Sequence, residues 1–232
     1  MNGMVHIYCG DGKGKTTAAL GLALRAAGNG VPVVIARFLK NDGSGEVGIL
    51  ENVPGVYLFP CERQFGFTWT MSEEQKVEAG EYFTGLFERA WELGCKTARD
   101  EVEGAGKADG CMAGENWGSD SVSDGSSRRD IGVCGTGSSV SGSPVSASLT
   151  SPPCEIRALL VLDEIMAAVN SGFVANERLL AALDHRPDGL EVVLTGRGPS
   201  EELLSRADYV TEMRAVKHPY EKGVGARKGV EY

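Results

Sequence analysis

The chain has 232 residues, a formal net charge of −9 and six cysteines. That length suits one domain with a substantial core, the acidic balance argues against a general nucleic-acid binder, and no apolar run approaches membrane-spanning length. The cysteines are scattered without a Cys-x-x-Cys pair and no signal-peptide pattern opens the chain, so reduced thiols in a cytoplasmic protein are expected rather than a zinc site or disulfide framework.

Met4 to Tyr8 is a short apolar stretch that predicts a strand. It runs into Cys9-Gly-Asp-Gly-Lys-Gly-Lys-Thr-Thr17, and Ala18 to Ala27 follows with an amphipathic pattern. Strand, glycine-rich loop, lysine, hydroxyl and helix, in that order, make a phosphate-binding P-loop. Gly10, Gly12 and Gly14 let the backbone curl until its N–H groups face one anion. The free N–H groups of the helix start add to the field. Asp11, Lys13 and Thr17 belong to the same nucleotide-binding run. Lys15 brings a full positive charge to the outer phosphates, and Thr16 brings an oxygen for Mg²⁺. The general pattern starts on glycine, where this chain has Cys9.

Val31 to Phe38 predicts a buried parallel strand and Val56 to Phe59 a shorter one. Ser72-Glu-Glu-Gln75 is a capping-box signature. It opens a helix whose core face would carry Val77, Tyr82, Phe83, Leu86, Phe87, Ala90 and Trp91. From about Gly104 to Pro153 the composition turns to Gly, Ser and Asp, within a segment bounded by Asp100 and Cys154. Such a segment buries too little apolar surface to offset its ordering entropy, so a flexible insertion is expected there.

Arg157 to Glu164 is an apolar strand ending in two acids, the form of a Walker B element. Asp163 and Glu164 would lie at the strand's carboxyl end, where open α/β sheets bind ligands. A helix capped by Asn176, a strand from Leu190 to Gly196, a helix opened by Pro199-Ser-Glu-Glu and a last strand from Ala207 to Met213 follow. The alternation predicts a single α/β domain over 1–232. It has an open, mainly parallel sheet flanked by helices, of the P-loop NTPase (RecA-like) type, interrupted at about 100–154.

Several separated blocks together resemble the P-loop class of ATP:corrinoid adenosyltransferases. They are the loop Gly10 to Thr17, which in that family also lacks the first glycine, then Phe38-Leu-Lys40, Gly66-Phe-Thr-Trp69, Val161-Leu-Asp-Glu164, Thr195-Gly-Arg-Gly198, Ala207-Asp208, and Val216-Lys-His-Pro-Tyr220 with Gly223 and Gly229-Val-Glu-Tyr232. The resemblance spans both ends of the chain and skips the Gly/Ser-rich segment. It implies transfer of the 5′-deoxyadenosyl group of ATP to the Co(I) of a reduced corrinoid, with release of triphosphate, in adenosylcobalamin biosynthesis or salvage.

The same resemblance implies roles for single residues. Phe67 and Trp69 would help displace the lower axial ligand of Co(II), which eases reduction; each ~59 mV is about tenfold in a one-electron equilibrium. Arg197 and His218 would lie at the nucleotide. Asp163 and Glu164 could bind Mg²⁺ (or Mn²⁺) directly or hold its waters, and the sequence does not choose between them. A reducing protein such as a flavodoxin and a homodimer are further implications. Two positions depart from the common family pattern, Arg37 and Arg227, each standing where glutamine is usual; they bear on which corrinoid is used. The competing expectations are a P-loop kinase or ATPase, which would release ADP, and a nucleotide- or corrinoid-binding protein without catalysis.

Overall fold

The computed structural model describes residues 3–40, 43–66, 68–104 and 156–230. Six strands, β1 (Val5–Cys9), β2 (Val33–Arg37), β3 (Val56–Leu58), β4 (Ala158–Asp163), β5 (Leu190–Thr195) and β6 (Tyr209–Glu212), form one sheet in the order β3-β2-β4-β5-β1-β6. Every neighbouring pair is parallel. The helices are α1 (Lys15–Gly28), α2 (Val47–Leu50), α3 (Glu73–Gly104), α4 (Ile165–Asn170), α5 (Asn176–Asp184) and α6 (Glu201–Leu204). This is the open α/β P-loop architecture that the sequence predicts.

β2, β4 and β5 are buried along their whole length, because helices cover both sheet faces. Side chains alternate between two cores with the strand period of two. Val33, Ile35, Leu159, Val161 and Val193 pack with Ala19, Leu20 and Ala23 of α1. Val34, Ala36, Leu160, Leu162, Val192 and Leu194 pack on the other face with Phe83, Leu86, Phe87 and Leu179. β6 is exposed at each of its four residues and forms an edge of the sheet.

The capping box forms as expected. Ser72 N donates to Gln75 Oε1 at 2.9 Å, and Gln75 N donates back to Ser72 Oγ at 3.3 Å. The aromatic face of α3 is largely core: the Phe83 ring lies over Phe173 with centroids 5.7 Å apart. Val77 departs from that face and is 63 % exposed, while Ala79, about 200° around the helix from it, is buried in the core. α3 continues to Gly104, past the Asp100 boundary read from composition. The rest of the expected insertion lies outside the described residues. Asn176 is the first helical residue of α5, and Ala175 holds the cap position. α2 and α4 escaped the sequence reading because four and six residues are too few to show a helical period.

All six strands point the same way, so Gly10, Phe38, Glu164, Gly196 and Met213, each following a strand, gather along one edge of the sheet. That edge carries the site.

Candidate functional site

The loop after β1 is held by the chain's last strand. Met213 N donates to Cys9 O at 2.8 Å and Gly12 N donates to Met213 O at 2.7 Å. Gly10 has φ +103, a conformation that favours glycine, and a side chain at Gly12 would meet Met213 O at 2.7 Å. The glycines are therefore needed both for the curl of the loop and for its approach to the strand beside it. Gly14, at φ 116, ends the loop, and α1 begins at Lys15 without a side-chain cap, leaving its first N–H groups facing the loop.

Lys15 Nζ donates to the carbonyl oxygens of Gly10 and Gly12, both at 2.8 Å. Burial pulls the ammonium below the ordinary lysine value; the charge of Glu164 opposes this and that of Arg197 adds to it. Burial pushes the Cys9 thiol above the ordinary range, with Glu212 reinforcing and Lys15 opposing, which disfavours the thiolate form. The Asp11 carboxyl is held below its usual range by the backbone N–H of Ala215, 3.1 Å away. Asp11 thus ties the loop to the C-terminal tail, as does Lys13, whose Nζ donates to Val230 O at 2.8 Å.

Asp163 is fully buried at the end of β4. Its Oδ1 accepts from Thr195 Oγ1 at 2.6 Å and from Thr16 Oγ1 at 3.0 Å. Its Oδ2 meets the ammonium of Lys40, which also donates to Thr16 Oγ1 at 2.7 Å. Glu164 takes the left-handed conformation, φ 62, at the start of α4, and its N–H donates to Thr195 Oγ1 at 2.8 Å. Thr16 and Asp163, distant in sequence, thus form one oxygen pair of the kind that hard divalent cations prefer. Among the described residues no group of three or more His, Cys, Asp and Glu could hold a metal.

The remaining expected residues are placed as follows. Arg197 is exposed after β5, with Nη2 3.5 Å from Asp11 O, so it stands at the rim of the loop. His218 caps a short 3-10 turn, Pro219–Lys222, its Nδ1 accepting from Tyr220 N at 3.2 Å. Among the described residues no hydrogen bond links it to the phosphate loop. Trp69 belongs to the 3-10 turn Thr68–Thr70, and Phe67 lies outside the described residues. Arg37 is 1 % exposed and pairs in register with Asp163. Arg227 is exposed in the tail.

Beside Thr16 opens a cavity of about 1220 Å³. α1 forms one wall through Thr17, Leu20 and Leu24. Leu39, Lys40 and Glu46 form another, and Arg63, Phe65, Gly66 and Thr68 face them. Its volume exceeds the range of about 300–1,000 Å³ usual for small-ligand pockets. Arg37 is not among its lining residues.

Lys40 and Thr195 are the site residues that sequence reasoning did not single out as functional. Each lies within a quoted block, but their roles depend on β4 lying between β2 and β5. That arrangement is a fact of sheet order, and no local pattern carries it.

A family model described as ATP:corrinoid adenosyltransferase BtuR/CobO/CobP matches residues 1–101 and 145–232. The chain is 28 % identical over 231 residues to a corrinoid adenosyltransferase of Pseudomonas aeruginosa, covering 99 % of this chain and 84 % of that protein. It is 29 % identical over 231 residues to the corrinoid adenosyltransferase CobA of Salmonella typhimurium, covering 99 % and 86 %. A corrinoid adenosyltransferase of Sinorhizobium sp. is 25 % identical over 232 residues, covering 99 % and 80 %.

Proposed function

The chain belongs to the ATP:corrinoid adenosyltransferase family, and from that membership we propose that it moves the 5′-deoxyadenosyl group of ATP onto the Co(I) of a reduced corrinoid. The observation that carries this reading is the phosphate loop and the large cavity meeting at Thr16. A nucleotide fits the loop, and the space beside it suits a second, bulkier substrate.

The cobalt of the substrate is the nucleophile. Its electron pair becomes the Co–C bond to C5′, the C5′–O bond breaks, and triphosphate leaves with that bond's electrons. No protein side chain needs to attack. The protein's part is to orient the two substrates and stabilise the leaving group. The N–H groups of Gly10 to Thr16 would hold the triphosphate, with Lys15 exchanging its bonds to Gly10 and Gly12 for phosphate oxygens. Arg197 is near enough to the loop rim to meet an outer phosphate. Mg²⁺, or Mn²⁺, would be held by Thr16 with Asp163 and Glu164 close by, and would neutralise charge on the leaving triphosphate.

Further parts of the reading rest on the family. Phe67 and Trp69 would strip the lower axial ligand from the Co(II) corrinoid, with a protein such as a flavodoxin supplying the electron. His218 would serve the nucleotide through the C-terminal tail. A homodimer in the cytoplasm, with residues 1–232 making one P-loop domain interrupted near 100–154, completes the proposal. No helix among the described residues is long and apolar enough to cross a membrane.

The test is anaerobic incubation of the protein with ATP, Mg²⁺ and chemically reduced cob(I)alamin. A light-sensitive Co–C product and stoichiometric triphosphate are expected. ADP with a phosphorylated acceptor or free phosphate would instead make the protein a kinase or ATPase. ATP binding with unchanged corrinoid spectra would make it a binding protein.

A further inference from the structure

Lys40 lies three residues beyond the end of β2, and its ammonium is inserted between two oxygens of the candidate cation site. It donates to Thr16 Oγ1 at 2.7 Å and pairs with Asp163 Oδ2. Thr16 Oγ1 uses its own proton toward Asp163, so Lys40 sits on the acceptor side of both oxygens, where a metal ion would bind. A lysine ammonium and a divalent cation on the same two oxygens would put two positive charges in close contact at a largely buried site, which repulsion strongly disfavours.

Two further observations separate this lysine from an ordinary buried ion pair. The residue before it, Leu39, has φ 53. A leucine there is a backbone outlier, and such outliers cluster at active sites, ligand clamps and switch regions. The Lys40 side chain is 24 % exposed while that of Asp163 is wholly buried, and Lys40 lines the cavity. The lysine has room to leave, whereas the carboxylate has none.

We propose that Lys40 is a resident counter-ion of the metal seat. It neutralises the buried Asp163 in the nucleotide-free protein and must vacate the Thr16–Asp163 pair when the metal–nucleotide binds, by rotating into the cavity. The proposal rests on the reading of Thr16 and Asp163 as the cation site, and it adds a competition: the metal requirement for nucleotide binding is set partly by how firmly Lys40 holds the seat. Removing the competitor must improve apparent metal affinity, by reciprocity of coupled equilibria.

The experiment titrates Mn²⁺ into the full chain with a fluorescent N-methylanthraniloyl ATP and reads the Mn²⁺ concentration giving half-maximal nucleotide binding. Lys40→Met is expected to lower it by about tenfold, within the 5–150-fold range of typical coupling, and Lys40→Gln likewise. Lys40→Arg keeps the charge and is expected to stay near the unsubstituted protein. Thermal unfolding in metal-free buffer checks that each variant folds, and Lys40→Gln decides if Lys40→Met does not. An unchanged or higher Mn²⁺ requirement in the neutral variant would overturn the proposal, the higher value being that of a lysine working alongside the metal. Absence of nucleotide binding by the unsubstituted protein at any Mn²⁺ concentration would instead remove the functional reading, and this inference with it.

Discussion

Thr195 Oγ1 donates to Asp163 Oδ1 at 2.6 Å while accepting from the N–H of Glu164 at 2.8 Å. One hydroxyl therefore fixes both acids at the end of β4: Asp163 through its side chain, Glu164 through its backbone. Thr195→Val keeps the shape but leaves the Glu164 N–H without its acceptor and takes one donor from Asp163, whose Oδ1 still accepts from Thr16 Oγ1. The expected loss is about 1–3 kcal/mol for the unsatisfied N–H, seen as a lower thermal midpoint. The Mg²⁺ requirement for ATP binding should rise as well. Thr195→Ser keeps the hydroxyl and should recover most of both. A valine variant with unchanged midpoint and metal requirement would remove Thr195 from the site.

Lys15→Ala should reduce turnover by about 10²–10³, the usual cost of losing one preorganised stabiliser of transition-state charge. The fold should survive, because the ammonium's bonds are to the carbonyls of Gly10 and Gly12 and not to the core. Steady-state kinetics and circular dichroism on one preparation decide. Near-normal rates from a folded variant would sink the assignment of the phosphate loop.

Trp69→Ala, and separately Phe67→Ala, should impair adenosylation far more when the assay starts from Co(II) with a mild reductant than when it starts from pre-reduced Co(I). Stripping an axial ligand matters only for reaching Co(I). ATP binding, governed by the loop around Lys15, should be unaffected. Equal losses in both assays would give these aromatics a general role in corrinoid binding or folding.

Replacing residues 105–144 with a short Gly/Ser join should leave the sheet and the activity largely intact. The segment's composition motivates this, together with the family match on both sides, at 1–101 and 145–232. Loop-closure entropy changes only logarithmically with length. Cooperative thermal unfolding near the original midpoint is the expected readout. A broad, non-cooperative transition would mean that the segment supports the fold.

How far the site could be read from sequence divides along physical lines. The strand–glycine loop–helix unit was legible because its parts are contiguous: β1, Gly10 to Gly14, Lys15 and α1 act as one local unit. The acid pair was legible because a wholly apolar strand ending in carboxylates is rare without a reason. The Ser72–Gln75 box was legible because capping is also local. The contacts of Asp163 with Thr16, Thr195 and Lys40 were not, since they depend on β4 lying between β2 and β5. The bonds from Asp11 and Lys13 to the tail were hidden for the same reason: the tail has no period, and only the pairing of β6 with β1 brings it to the loop. Val77 was misassigned because the buried stripe runs through Ala79, Phe83, Leu86 and Ala90, and Val77 lies about 200° around the helix from Ala79.

The pairing of β1 sets an order of assembly during synthesis. β1 lies between β5 and β6, and the bond from Met4 N to Glu191 spans 187 positions. At translation rates of about 5–20 residues per second, the first strand waits roughly 10–40 s for its neighbours. Gly12 waits longer, for Met213. A ribosome-bound chain stopped before that point carries every residue of the phosphate-binding run but lacks the Met213 contacts that hold Cys9 and Gly12. Nucleotide capture would therefore mark completed chains, and the unpaired first strand would need shelter from other edges until its neighbours emerge.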